Sequence, residues 1–68
     1  MARSIDIHWR AAEAAAPKGC EITLSGRPGG YTASAGVGGS VWMAESDRDP
    51  AVALMSLTKR LRAAAKDR

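Results

Sequence analysis

Residues 35–40 read Ala-Gly-Val-Gly-Gly-Ser, and the reading of this stretch decides the fold. Three glycines in a span of four residues (Gly36, Gly38, Gly39) fit either a loop that cradles a phosphate or a tight turn. A dinucleotide loop needs G-x-G-x-x-G between a strand and a helix, so that the phosphate meets helix N–H groups. Here Val41 stands at the third glycine position, the segment that follows is strand-like, and no lysine follows as in a P-loop. The glycines instead suit the positive φ values of a hairpin. A hairpin makes the sheet antiparallel, and no nucleotide cofactor, or any other, is expected.

Working outward, Tyr31, Ala33 and Ala35 alternate with Thr32 and Ser34, which is the period of a strand. Cys20, Ile22 and Leu24 alternate with Glu21, Thr23 and Ser25 in the same way. Gly26-Arg-Pro-Gly-Gly30 is a turn cluster between them. A third strand is expected over 40–45. The phase of that strand has two readings, Ser40-Trp42-Ala44 inward or Val41-Met43-Glu45 inward. Glu45 prefers water, which turns Trp42 toward the core and leaves Val41 and Met43 on the open face beside Thr32 and Ser34. Such an apolar pair is either a contact site or a patch covered by a helix or a second copy.

The C-terminal element is the clearest. Asp49 is a good N-cap and Pro50 suits the first helical turn. Ala51, Leu54, Leu57, Leu61 and Ala64 follow at helical spacing, so a helix is expected over about 50–66. Near the N-terminus, Ile5, Trp9, Ala12 and Ala16 share one helical face, and A-A-E-A-A-A at 11–16 strongly favours helix. Ser4 is placed to cap this helix, and Pro17 with Gly19 to stop it. The alternative is a strand over 4–9, because Ile5, Ile7 and Trp9 also alternate with polar residues. The expected fold is therefore a single α+β domain over 1–68: a small antiparallel three- (or four-) stranded sheet with helices on one face. Its order is α-β-β-β-α, or β-β-β-β-α in the alternative. That topology brings Arg27 and Arg48 to one end of the sheet, and Lys18, Arg62 and Lys66 to the other.

Sixty-eight residues allow one domain and a small core. One cysteine and one histidine exclude an internal disulfide and a four-ligand zinc site built by this chain alone. Met1-Ala-Arg-Ser-Ile-Asp is not followed by an apolar run, and no stretch approaches membrane-span length. No signal peptide is expected, and the expected location is cytoplasmic. His8 and Cys20 are a base and a nucleophile in type, but no spacing orients them, and Cys20 is in phase with Ile22 and Leu24. Glu13, Glu21 and Glu45 show no carboxylate pairing. No catalytic residue and no enzyme activity are expected.

The net charge is +3, and its distribution is uneven. Lys59, Arg60, Arg62, Lys66 and Arg68 end the last helix, while Glu45, Asp47 and Asp49 precede it. The helix macrodipole favours that arrangement by itself. The sharper reading is that Lys59, Arg62, Lys66 and Arg68 contact nucleic acid or an acidic protein.

The order α-β-β-β-α is that of double-stranded-RNA-binding domains. That family carries lysines at the start of its last helix, where this chain has Asp47-Arg48-Asp49-Pro50-Ala51, and the two carboxylates repel phosphate. From Lys18 onward, the short strands, the Ala44-Glu45-Ser46-Asp47-Arg48-Asp49-Pro50 connection and the Ala/Leu-rich helix resemble small accessory proteins of phages and other mobile elements. Anti-CRISPR proteins of type I systems are similar in size and layout. The resemblance implies a stoichiometric inhibitor, cytoplasmic in a bacterial host, that binds a Cas protein or a crRNA-guided surveillance complex. The expected partner is thus a larger protein or ribonucleoprotein, with a homodimer also open. The alternative is a weak nucleic-acid binder. The residues expected to supply protein contacts are Arg27, Tyr31, Val41, Met43 and Arg48.

Overall fold

A computed structural model describes residues 5–66, so Ser4 and Arg68 lie outside the described residues. The element order is α1 (Ile5–Ala15), β1 (Glu21–Arg27), β2 (Gly30–Val37), β3 (Ser40–Asp47) and α2 (Pro50–Lys66). The three strands form one antiparallel sheet in the order β1-β2-β3. This is the α+β arrangement expected, with the helical alternative realised at the N-terminus. The helix form of 5–15 prevails because it turns Ile5, Trp9, Ala12 and Ala16 onto the core together. One turn along its surface, the Trp9 indole Nε1–H donates to Glu13 Oε2 at 3.2 Å.

Both hairpins are tighter than the sequence suggests, and the strands run further into them. Pro28-Gly29 and Gly38-Gly39 are two-residue turns, with Arg27 paired to Gly30 and Val37 to Ser40. Gly38 and Gly39 have φ of 58° and 86°, the left-handed values that a type I′ turn requires at both central positions, whereas in Pro28-Gly29 only Gly29 is left-handed, at 95°.

Simple alternation fails in β3. Ala35 pairs with Met43 but Gly36 pairs with Val41, so Trp42 is an extra residue without a partner, a β-bulge. Gly36 permits it, because a Cβ there would lie 1.7 Å from the Ser40 carbonyl oxygen. The bulge corrects the expected phase. Met43 and Glu45 lie opposite the buried Ala35 and Ala33, on the helix side of the sheet. Met43 is half-buried and packs against the core instead of sharing the open face with Val41, while Trp42 is 51% exposed. Glu45 is tolerated on the helix side because Arg60 Nη1 donates to its Oε2 at 2.7 Å. Only Val41 keeps its expected exposure.

Helix α2 starts where its cap dictates. The Asp49 carboxylate accepts the Ala51 N–H at 2.9 Å, and Asp47 accepts the Asp49 N–H at 3.0 Å. Leu54, Leu57 and Leu61 are buried, as is Ala51, and Ala33, Ala35 and Ala53 let α2 sit close to the sheet. Ala64, expected on the same stripe, is exposed in the last turn of the helix. Thr58 is buried with its hydroxyl donating to the Leu54 carbonyl at 2.8 Å. Helix α2 covers β2 and β3, and α1 packs against α2 and the inner side of β1. Among the described residues, no element covers the opposite face of the sheet. Among the described residues, no helix is long and apolar enough to cross a membrane.

Candidate protein-binding surface

The leucine spacing that builds the core also dictates what α2 shows to solvent. With Leu54, Leu57 and Leu61 inward, the opposite side of the helix presents Val52, Met55, Lys59, Arg62 and Lys66, spaced three or four apart. The stripe changes character along its length. Its N-terminal half is apolar, with Met55 51% and Val52 37% exposed, and its C-terminal half is basic. Beside it runs α1, which offers His8 and Ala11. His8 and Ala11, with Val52, Met55, Ser56 and Thr58, line a shallow groove of about 590 Å³ that ends at Lys59 and Arg62. A neighbouring depression joins Arg62 and Lys66 to Ala11, Ala14 and Ala15. The groove thus offers desolvatable apolar area at one end and two cations at the other. Such a surface fits an amphipathic segment that carries acidic residues.

The basic residues named from the sequence fall together where the structure describes them. Lys59, Arg62 and Lys66 form one row, while Arg60 is turned away to Glu45. The expected protein contacts divide. Arg27, Tyr31 and Arg48 do meet at one end of the sheet, lining a depression with Pro28, Ser46 and Asp47. Val41 stands apart on the open face, and Met43 faces the helices. Val52 and Met55 carry a signal that sequence reasoning passed over. Val52 lies two residues before Leu54 and Met55 two before Leu57, on the side that a leucine stripe leaves outside, where polar residues are the norm. Trp42 borders a second apolar groove with Ala16, Pro17, Leu61 and Ala64, exposed there by the bulge.

His8 and Cys20 are not assembled as a catalytic pair. His8 lines the inter-helix groove, and the Cys20 thiol packs at the edge of the core, its Sγ–H donating weakly to the Glu21 carbonyl at 3.8 Å. Among the described residues, no three of His, Cys, Asp and Glu cluster in a way that would hold a metal ion. No protein-family model, curated protein or solved structure matches the chain.

Proposed function

We infer that this chain is a small non-enzymatic protein-binding module. It acts stoichiometrically, by occupying a surface of a larger protein or ribonucleoprotein assembly through the groove between α1 and α2. The observation that carries this reading is the two-part flank of α2, where exposed Met55 and Val52 adjoin Lys59 and Arg62. Interface energy concentrates in a few desolvated anchors ringed by polar groups. Met55 is the anchor of suitable shape, since an unbranched thioether adapts to irregular surfaces. Lys59 and Arg62 select an acidic partner and speed its encounter. The resemblance to anti-CRISPR proteins supplies the class of partner, a Cas protein or crRNA-guided complex.

A second reading has its own support. Lys59, Arg62 and Lys66 stand in a row along one side of α2, a spacing that can track phosphates. Three or four contacts of this kind give weak, nonspecific affinity, about 10⁻⁴ to 10⁻⁶ M, with a salt slope near −0.9 for each phosphate neutralised on duplex DNA. One variant separates the readings: Lys59→Gln, Arg62→Gln, Lys66→Gln and Arg68→Gln combined, assayed for capture of its partner from bacterial lysate and for DNA and RNA binding. The protein-binding module still captures its partner through Val52 and Met55, with slower association and weaker affinity, and loses the nucleic-acid signal. Tight, sequence-selective nucleic-acid binding in the wild type that vanishes in the variant overturns the module.

A further inference from the structure

The sheet has two open edges, and they are not alike. At β3 the Trp42 bulge breaks the strand, and Glu45 and Asp47 add negative charge; both features discourage strand addition. At β1 the strand Glu21–Arg27 is continuous, contains no proline, and is paired on one side only. Its outward-pointing groups follow from the hairpin. With only Pro28 and Gly29 in the turn, the flanking pair Arg27 and Gly30 is the one that exchanges main-chain bonds, and Pro28 needs no N–H there. Alternation along an antiparallel ladder then turns Arg27, Ser25, Thr23 and Glu21 toward β2. It leaves the N–H and C=O groups of Ile22, Leu24 and Gly26 directed outward.

We propose that β1 pairs antiparallel with β1 of a second copy, about a two-fold axis at Leu24, joining two three-stranded sheets into one continuous sheet. Among the registers that pair these outward groups, only this one is also complementary in charge. With Leu24 opposite Leu24 of the copy, Ile22 faces Gly26, Thr23 faces Ser25 and Glu21 faces Arg27. The bonded pairs are then Leu24–Leu24 and the two Ile22–Gly26 pairs, which are the residues whose main-chain groups point outward. Glu21 and Arg27 both lie on the open face, so the two-fold generates two opposite-charge cross-strand pairs. Neither residue has an ion-pair partner within the described monomer. A slip of two residues in either direction keeps the bonding pattern but removes both charge pairs.

The helix side of the strand is complementary as well. Ile22 and Leu24 are only half-buried in the single chain. The Tyr31 ring lies over Gly26, where a Cβ would come within 3.3 Å of it. Pairing sets Ile22 of the copy next to this glycine and its overlying ring, and brings the two Leu24 side chains together at the axis. The dimer thereby enlarges a core that is small in the single chain. It leaves the groove between α1 and α2 outside the contact, so self-association and partner capture are tested separately.

The test is sedimentation equilibrium on the full chain across a concentration series, with the variants E21R and R27E. Both positions are exposed, and circular dichroism verifies that each variant stays folded. The wild type is expected to approach twice its 7.1 kDa chain mass. Each single variant places like charges opposite each other twice, and its dimer dissociation constant rises by about tenfold or more. Mixing the two variants restores the dimer, because each new arginine then meets a new glutamate across the axis. In the wild-type dimer, the amides of Ile22, Leu24 and Gly26 gain protection from hydrogen exchange. A wild type that stays at the monomer mass overturns the proposal. So does a dimer indifferent to both single variants, or a mixture no more dimeric than its components.

Discussion

The open face of the sheet and the outer flank of α2 both look onto solvent, but they are built for different ends. Between Glu21 and Arg27 at the ends of β1, the sheet face carries Thr23, Ser25, Thr32, Ser34, Ala44 and Ser46, all small, and Thr32 and Ser46 hydrogen-bond across strands at 2.9 Å. Short hydroxyl side chains suit a strand surface and are satisfied by one another or by water. They offer little apolar area to desolvate, and Val41 is the lone large apolar residue among them. The α2 flank sets Val52 and Met55 against Lys59 and Arg62, a combination that helix stability does not require. The difference teaches where binding energy is available. A bare sheet face is not by itself an interaction surface; the composition of the exposed side chains decides.

The comparison is sharpest within α2 itself, between its inner and outer sides. Leu57 is fully buried beneath the helix. Leu57→Ala is expected to destabilise by about 2–5 kcal/mol, enough to unfold much of a domain this small, as read by urea denaturation. Met55, two residues away, is expected to change stability by no more than about 0.5 kcal/mol when replaced by Ala. Equal effects at the two positions would break the inside–outside assignment of the helix.

Next in size is the bulge that separates β3 from a regular strand. Gly36→Ala forces a Cβ into the Ser40 carbonyl, and a cost of about 1–3 kcal/mol is expected from overpacking. Gly39→Val, placed at a left-handed φ in open space, is expected to cost about 1–2 kcal/mol. Thermal melts of the two variants rank backbone proximity against backbone conformation. A Gly36→Ala protein as stable as wild type would mean that the bulge is not held as described. Smaller still is the Arg60–Glu45 pair, whose arginine side chain is more than half exposed. Glu45→Gln is expected to cost about 1 kcal/mol or less. Smallest is Thr32→Ala on the sheet face, within about 0.5 kcal/mol, because water replaces the lost hydroxyl partner of Ser46.

Much of this architecture was legible in the sequence, and the exceptions have physical causes. The boundaries of α2 follow from Asp49, Pro50 and the leucine spacing, all of which act locally. The N-terminal element was ambiguous because Ile5, Ile7 and Trp9 fit two periods. Tertiary burial of Trp9 and Ala12 settles it, and no local pattern reports that. The phase of β3 misled because alternation assumes one residue per partner, whereas Gly36 admits two residues where one is expected. A glycine within a strand pattern is the one sequence sign of such an insertion. The water preference of Glu45 misled for a related reason, since Arg60 lies 15 residues ahead on another element and meets the charge there. Of the candidate surface, Lys59, Arg62 and Lys66 were visible as charge. Val52 and Met55 were hidden by the expectation that apolar residues on a helix point inward.

The central claim is that partner binding resides on the α2 flank and not on the open face of the sheet. The direct measurement is the affinity of a captured partner, by titration calorimetry, for three proteins: wild type, Val52→Ser with Met55→Ser, and Thr32→Ala with Ser34→Ala. Loss of about tenfold or more in affinity is expected for the flank variant, whose anchors are removed. The sheet variant is expected to bind within about twofold of wild type, since rim-like polar contacts contribute little. Unchanged affinity in the flank variant, or a large loss in the sheet variant, would contradict the account.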